Sequence, residues 1–221
     1  MCGVRKTVTA SLVAITASLV AVTALLSLAA VGSASGPPAS VQARCLPRGA
    51  RSLAVDRTAR VYSWHGSVYG CVDATGQLRK LGGASVCNHL DGAVAPVRLA
   101  ADIVAYGLER CGVDTGSSTV VIVNLVTGIR RGDLAASTLP VGPESYSSVT
   151  SLVLRRDGAA GWIARDGSLI GRHTTYEVHR FSSGKSVRVD SGSSIAPASL
   201  RLSGSVMTWQ HGNATRSARL A

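Results

Sequence analysis

Residues 151–164 read SLVLRRDGAAGWIA: a short apolar strand, an Asp-Gly turn, and a second apolar strand that carries a tryptophan. The same order recurs along the chain. In each occurrence, two Leu or Val residues precede an aromatic residue. In three of the four they lie nine and seven residues before the aromatic, and in the other one both distances are one residue longer. The four registers are Leu53/Val55 with Tyr62, Val97/Leu99 with Tyr106, Leu152/Leu154 with Trp162, and Leu200/Leu202 with Trp209. Such self-similarity is typical of small stacked sheets.

Each aromatic strand is followed by a turn and a further apolar strand, and in three units a glycine then closes the unit. These strands are Val68–Val72, Val120–Leu125, Tyr176–Phe181 and Ser217–Leu220, and the glycines are Gly76, Gly128 and Gly184. Frequent Gly and Asp-Gly breakers leave only strand-sized pieces rich in Val, Leu and Ile. The sequence therefore predicts an all-β fold of four antiparallel β-meander repeats, propeller-like, preceded by an N-terminal signal helix.

The four aromatics are predicted to be the large core side chains of the repeats. One small sheet cannot cover its own apolar face, so each unit must stack on a neighbour. An aromatic ring buries about 150–250 Å². Replacing Trp162 or Trp209 by Ala is therefore expected to cost about 3–5 kcal/mol of stability.

The fourth unit has one strand fewer than a complete meander, which leaves its edge to be covered. Two arrangements satisfy the sequence. In a closed four-bladed ring, Val41–Leu46 pairs with that edge. In an open arc, Arg216 and Arg219 protect it.

Residues 1–34 are predicted to be a signal peptide, residues 35–44 a linker, and residues 45–221 the repeat domain. Arg5 and Lys6 precede the apolar stretch Val8–Val31, and Gly32-Ser33-Ala34 supplies the small residues of a cleavage site. The apolar stretch is long enough for an uncleaved membrane anchor to be the alternative. Either arrangement places the domain outside the cytoplasm, secreted or associated with the cell envelope.

Four cysteines remain after the leader: Cys45, Cys71, Cys87 and Cys111. An even number in an exported chain indicates two disulfides, and the repeat map favours Cys45 with Cys71 and Cys87 with Cys111. The gaps between them contain no short paired spacing of the kind that zinc sites use. We expect no metal and no cofactor.

The net charge of the chain limits the kinds of partner that it can bind. Without Arg5 and Lys6 the chain has 21 basic and 12 acidic side chains, a net charge of +9, and nearly all the basic residues are Arg. They are scattered over strands and turns, whereas nucleic-acid binders concentrate them on one face with stacking aromatics. We expect an unidentified protein or an anionic envelope polymer as partner, no nucleic acid, and membrane contact only through an uncleaved leader.

One motif suggests an enzyme instead. The Asp-Thr/Ser-Gly signature of pepsin- and retropepsin-like aspartic peptidases occurs twice, as Asp114-Thr115-Gly116 and as Asp190-Ser191-Gly192. In those enzymes two carboxylates share a proton. In addition, Leu169–Arg172 resembles the apolar-Gly-Arg element of the retroviral branch. The motifs are 76 residues apart in a short chain, and Asp-x-Gly-Ser is also ordinary turn chemistry. The catalytic pair Asp114 and Asp190 is therefore the alternative to a non-catalytic module.

The units resemble the repeats of TolB-like and WD40-like β-propellers. The order of elements in those repeats is found in Val149–Gly184: an apolar strand, Asp157-Gly158, an aromatic strand, Tyr176-Glu177-Val178 and a closing glycine. The resemblance extends over Leu46–Leu220. It implies a periplasmic or extracellular scaffold that binds other macromolecules, usually without catalysis. The sequence thus favours an exported binding or structural module at the cell envelope.

Overall fold

The computed structural model describes residues 45–85, 92–139, 144–168 and 173–220. Every regular element in these ranges is a β-strand, which confirms the all-β prediction. Among the same residues, no helix is long and apolar enough to cross a membrane. The predicted signal segment (1–34), the linker (35–44) and Cys87 lie outside the described residues.

The described residues contain fifteen strands, which we divide into four consecutive antiparallel groups called meanders 1 to 4. Meander 1 contains β1 (Arg51–Val55), β2 (Ala59–Trp64), β3 (Ser67–Val72) and β4 (Gln77–Gly83). Meander 2 contains β5 (Ala93–Ala100), β6 (Ile103–Cys111), β7 (Gly116–Asn124) and β8 (Arg130–Ala135). Meander 3 contains β9 (Ser145–Leu154), β10 (Ala160–Ser168), β11 (Thr174–Ser182) and β12 (Lys185–Gly192). Meander 4 contains β13 (Arg201–Ser203), β14 (Val206–His211) and β15 (Ala214–Arg219).

The first three meanders are linked into one twelve-stranded sheet by single parallel residue pairs. Gly83 of β4 pairs with Ala93 of β5, and Gly116 of β7 pairs with Tyr146 of β9. Meander 4 is a separate three-stranded sheet. The pairing among the described strands runs from β1 to β12 without closing.

The closed four-bladed ring predicted as one alternative is therefore not formed by the described strands. At the edge of meander 4, the carbonyl of Leu220 accepts a hydrogen bond from Arg155, and that of Arg219 accepts one from Arg180 at 2.9 Å. Side chains of meander 3 thus bind two main-chain carbonyls at the end of β15. Of the predicted closing strand, only Cys45 and Leu46 are described, and Cys45 is bonded to Cys71 in meander 1.

Three apolar cores lie between successive meanders. Strand alternation sends Val61 and Val68 of meander 1 toward Val104 and Val121 of meander 2. The second core joins meanders 2 and 3 and includes Trp162, and the third joins meanders 3 and 4 and includes Trp209. The four aromatics that mark the sequence pattern are almost fully buried: Tyr62 (1% exposed), Tyr106 (2%), Trp162 (0%) and Trp209 (3%).

A glycine inside a strand allows close approach at two of these junctions. A Cβ on Gly70 in β3 would lie 2.5 Å from a methyl carbon of Leu125, and one on Gly161 in β10 would lie 2.5 Å from Sδ of Met207. Both partners belong to the next meander along the chain. Glycine in a strand interior commonly marks such a packing contact.

Arginines also tie consecutive meanders together. Arg79 in β4 donates to the carbonyl of Leu125 at 2.6 Å, and Arg131 in β8 donates to the carbonyl of Asp157 at 2.7 Å. Arg155 and Arg180 do the same between meanders 3 and 4. The guanidinium group has several donors in a rigid fork, which suits this bridging of main-chain oxygens. Part of the arginine excess is therefore structural.

Candidate functional site

All four meanders contribute to one open cavity of about 510 Å³. Each lines it at or just after the end of its first strand: β1, β5, β9 or β13. The walls are apolar where they are formed by leucines, and four charged side chains stand among them. The lining residues are Asp56, Leu99, Ala100, Leu154, Arg155, Arg156, Asp157, Leu202 and Gly204.

Asp56 joins meander 1 to meander 2 at this cavity. Its carboxylate accepts hydrogen bonds from the backbone N–H of Ala101 at 2.7 Å and of Arg57 at 2.6 Å. These two bonds lower the pKa of Asp56 below its usual value of 3.8, and the bond from Ala101 has the larger effect. Ala101 has a φ of 56°, which L residues rarely adopt. The ionised Asp56 therefore stabilises a strained turn beside the cavity.

Two adjacent arginines of meander 3 supply the positive charge. Arg155 forms an ion pair with Asp157 at 3.0 Å and also donates to the carbonyl of Leu220. The side chain of Arg156 is exposed and adds favourable charge near Asp56. Arg155 is thus occupied in holding the fold, whereas Arg156 is exposed to solvent at the cavity. A pocket with apolar walls and a few polar groups is suited to binding a ligand.

A second polar assembly lies buried at the junction of meanders 2 and 3. We call Glu177, His179, Trp162, Arg188, Ser137 and Thr138 the Glu177 cluster. Glu177 is 0% exposed, and its carboxylate accepts hydrogen bonds from Arg188 (2.6 Å), the backbone N–H of Thr138 (2.7 Å), and the hydroxyls of Thr138 (2.8 Å) and Ser137 (2.9 Å). Nε2 of His179 lies 3.0 Å from the same carboxylate.

Burial and hydrogen bonding act in opposite directions on Glu177. Burial favours the neutral acid, but the bonds from Arg188, Thr138 and His179 outweigh it and lower the pKa to about 2. Burial lowers the pKa of His179, so this ring is neutral at pH 7. It stacks on the indole of Trp162 with ring centroids 5.1 Å apart. The indole N–H in turn donates to the carbonyl of Ala136 at 2.7 Å.

A similar assembly joins meanders 3 and 4. We call Asp190, Trp209, His211 and Arg216 the Asp190 cluster. Asp190 accepts hydrogen bonds from Arg216 at 2.6 Å and from the indole of Trp209 at 2.7 Å, and Nδ1 of His211 lies 3.0 Å away. Burial opposes ionisation of Asp190, but the bonds from Trp209 and His211 prevail and lower its pKa. The carboxylate is thus a structural acceptor here.

The structure does not bring the two aspartates of the peptidase alternative together. Asp114 is exposed in the connection between β6 and β7, whereas Asp190 lies in β12. In the sheet order β12 is four strands from β7, and the carboxylate of Asp190 bonds to side chains of meander 4. A shared proton requires carboxylates about 3 Å apart. Leu169–Arg172, the other part of that motif set, lies outside the described residues.

Cys45 and Cys71 form the predicted disulfide, with their Cα atoms 5.5 Å apart. Cys111 is disulfide-bonded as well, and its predicted partner Cys87 lies outside the described residues. Within the described ranges, no group of three or more His, Cys, Asp or Glu side chains is placed to hold a metal ion.

Comparison with known proteins assigns no family. No known family matches the sequence, and no curated protein does so. The crystal structure of the N-terminal domain of Nup159 aligns with 72% of this chain at 9% sequence identity and a TM-score of 0.36. The aligned part is 38% of that chain, so this chain spans well under two thirds of its length. At that TM-score the likeness assigns no fold, and the architecture described above rests on strand pairing alone.

Proposed function

We propose that this chain is an exported, non-catalytic binding module of the cell envelope, built from four copies of one meander around a common centre. In this proposal the cavity at the ends of the first strands is the binding site. The TolB-like and WD40-like resemblance of the sequence implies the same kind of module.

One observation carries the proposal: equivalent ends of β1, β5, β9 and β13 line a single cavity. The first strands of successive meanders also contact one another, β1 with β5, β5 with β9, and β9 with β13. Sheets repeated side by side along a line would place these ends progressively farther apart. Sheets repeated around a centre place them together, as in radial β architectures.

The net charge of the whole chain favours an anionic macromolecule, whereas the cavity itself is lined by two aspartates and two arginines. The exposed Arg156 stands beside leucine walls, and the chain without Arg5 and Lys6 has a net charge of +9. A positive protein attracts a negative partner over a distance of about 10 Å at moderate salt. The leucines would then add short-range apolar contact. Envelope polymers and envelope proteins with acidic segments have this chemistry.

Export is supported by the composition of the leader and by the disulfides. The bond between Cys45 and Cys71 and the bonded state of Cys111 are typical of oxidising compartments. Arg5, Lys6 and the apolar stretch that follows have the composition of a signal peptide.

Binding can be tested with the exported chain immobilised and exposed to poly-L-glutamate and, separately, to envelope extract. We expect Arg156→Glu to weaken retention of the polyanion by about tenfold, since it reverses a charge at the cavity. The matched control is Arg110→Glu. Arg110 is an exposed arginine at the end of β6 that is away from the cavity, and its replacement should change retention of the polyanion by less than about twofold. Equal losses in the two variants would mean that net charge alone causes binding.

A further inference from the structure

A further set of polar side chains lies beside the Glu177 cluster, where the start of β9 meets meander 2. Its members are the carboxylate of Asp166 and the hydroxyls of Ser118 and Ser147, which we call the Asp166 group. Ser147 and Asp166 are directly opposite each other in β9 and β10. The hydroxyl of Ser147 accepts a hydrogen bond from the backbone N–H of Ser118 at 3.1 Å. The group is near the first residues of β9, whereas the cavity described above lies where β9 ends.

Strand alternation directs all three side chains into the junction between meanders 2 and 3. In β7, Ser118 is on the same face as Val120, and in β10, Asp166 is on the same face as Ala164. Both Val120 and Ala164 belong to the apolar core of this junction. Ser147 projects on the same side as Asp166, because residues directly opposite in neighbouring strands share a face. The three polar groups therefore face the same space between the two meanders.

Two oxygens of the Asp166 group have no hydrogen-bond partner among the described residues. They are Oγ of Ser118 and Oδ2 of Asp166, and both atoms are shielded from solvent. The whole of Ser118 is 4% exposed. Buried polar atoms are nearly always hydrogen-bonded in folded proteins, because an unpartnered one loses its hydration without compensation. The pair therefore points to a ligand that oxygen atoms bind.

A second carboxylate increases the negative charge at this place. Burial raises the pKa of Asp166, the hydroxyl of Ser137 lowers it by hydrogen bonding, and the charge of Glu177 raises it again. Ser137 also donates to Glu177 at 2.9 Å, so its hydroxyl is within reach of both carboxylates. A hydroxyl has a single proton and can serve one of them at a time.

The two arginines beside this group are engaged elsewhere. Arg165 alternates with Asp166 along β10, and its guanidinium carbon lies over the ring of Tyr146, 5.1 Å from the ring centre. Arg188 binds Glu177 at 2.6 Å. Two carboxylates and one arginine leave a negative charge without a counterion. A water molecule can donate hydrogen bonds to Asp166 but does not balance that charge, whereas a cation does both tasks at once.

We propose that the Asp166 group binds Ca²⁺ at the junction of meanders 2 and 3. Asp166 supplies the charged ligand, the hydroxyls of Ser118 and Ser147 supply neutral oxygen ligands, and water completes the coordination shell. Carboxylate, hydroxyl and water oxygens are the ligands that hard cations prefer. Most of these ligands are hydroxyls, which distinguishes the group from the sets of His, Cys, Asp and Glu that are absent from the described ranges.

The burial of the two oxygens favours Ca²⁺ over Mg²⁺. A cation has to lose much of its own hydration to reach them, and Mg²⁺ gives up water reluctantly, whereas Ca²⁺ accepts irregular geometry. A site with one charged ligand is weak, so we expect a Kd of about 0.1–1 mM, the range of extracellular modules. Ser118 belongs to meander 2 and the other two ligands to meander 3, so the cation would tie the two meanders together. The site is independent of the cavity and of the ligand proposed for it.

Thermal unfolding of the exported chain at pH 7 tests the site, first in EDTA and then in Ca²⁺ at about ten times the expected Kd, with ionic strength held constant. Wild type should unfold at a temperature about 3–5 °C higher in Ca²⁺, because the ion binds the folded chain only. Mg²⁺ at the same concentration should give less than about half of that shift. Equilibrium dialysis against labelled Ca²⁺ should show about one bound ion per chain.

Three variants locate the ion. Asp166→Asn removes the charged ligand and should abolish the shift, and in EDTA it should unfold at the wild-type temperature or above, since it removes a charge that has no counterion. Ser118→Ala keeps the charge and should weaken Ca²⁺ binding by more than about threefold. Asp133→Asn is the matched control and should keep the full shift, because Asp133 is about half exposed and is paired with Arg130.

A wild type that unfolds at the same temperature in EDTA and in Ca²⁺, and that retains no Ca²⁺ in dialysis, would overturn the proposal. So would a shift that persists in Asp166→Asn, because the ion would then be bound elsewhere. An equal shift in Mg²⁺ would mean that divalent cations act by screening the surface. The Arg156→Glu variant should lose polyanion binding and keep the Ca²⁺ shift, which separates this proposal from that of the cavity.

Discussion

The Glu177 and Asp190 clusters combine the same four side-chain types in different surroundings. Each has a carboxylate, a tryptophan, a histidine and an arginine, and each lies where two meanders meet. Glu177 is 0% exposed and binds the segment after β8, whereas the Asp190 side chain is 5% exposed and bonds mainly to meander 4. Because its carboxylate is further from water and has more donors, the Glu177 cluster should contribute more to stability.

The largest expected difference concerns the tryptophans. Trp162→Ala should lower the free energy of unfolding by about 5 kcal/mol, since it leaves a cavity, an unpaired carbonyl at Ala136 and an unstacked His179. Trp209→Ala should cost about 3 kcal/mol because its partner Asp190 keeps other donors. Urea titration measures both values. If Trp209→Ala proved the more damaging, the ranking of the two junctions would be reversed.

The carboxylates themselves give the next largest effect. Glu177→Gln should cost about 3 kcal/mol at pH 7, the amount that corresponds to lowering its pKa from 4.5 to about 2. Asp190→Asn should cost about 1–2 kcal/mol, as expected for hydrogen bonds to a charged group near solvent. Denaturant unfolding of the two variants beside wild type makes the comparison. Equal losses would contradict the difference in burial argued here.

Acid should destabilise the wild type in two steps. The neutral His179 resists protonation in the fold, whereas in the unfolded chain it takes up a proton below about pH 6.5, so stability falls below that pH. Glu177 stays ionised in the fold down to about pH 2 while the unfolded carboxyl is protonated near 4.5, so stability falls again from pH 4.5. Thermal unfolding at a series of pH values should show both steps. Glu177→Gln should reduce the lower one, and Asp56 and Asp190, whose pKa values are also lowered in the fold, should account for the remainder.

The arginines should contribute least. Arg188→Ala is expected to cost about 1 kcal/mol and Arg216→Ala less than about 0.5 kcal/mol, because both guanidinium groups are about half exposed and screened by water. Thermal unfolding of both variants at low and high salt measures these losses of stability. A loss above about 2 kcal/mol for Arg216 would mean that the Asp190 cluster is drier than its exposure indicates.

Much of the fold could be predicted from the sequence because apolar alternation and turn glycines are local signals. The pattern from Leu152 to Trp162 corresponds to β9, the turn and β10. The outer strands β8 and β12 were harder to foresee, since their residues are largely exposed and polar. Whether the sheet closes depends on long-range pairing, which no local pattern determines.

The sites were less predictable. Glu177 has no distinguishing neighbour in sequence, and its burial depends on Thr138 and Arg188, 39 and 11 residues away. The ring of His211 contacts Asp190, which is 21 residues away in sequence. The Asp190-Ser191-Gly192 motif lies in β12, where the carboxylate bonds to side chains of meander 4 that no local pattern indicates. The cavity depends on four strand ends meeting, which only the three-dimensional arrangement shows.

The central claim is that the first strands of all four meanders end around one cavity, and chemical cross-linking tests it most directly. Arg57→Cys, in the turn after β1, is combined with Ser203→Cys at the end of β13 and treated with a short bismaleimide. The control combines Arg57→Cys with Asn213→Cys, in the turn about 20 Å away at the other end of β14. Rapid intramolecular cross-linking of the first pair only is the predicted result. Cross-linking of the control pair with none in the first would contradict the convergence of the four meanders.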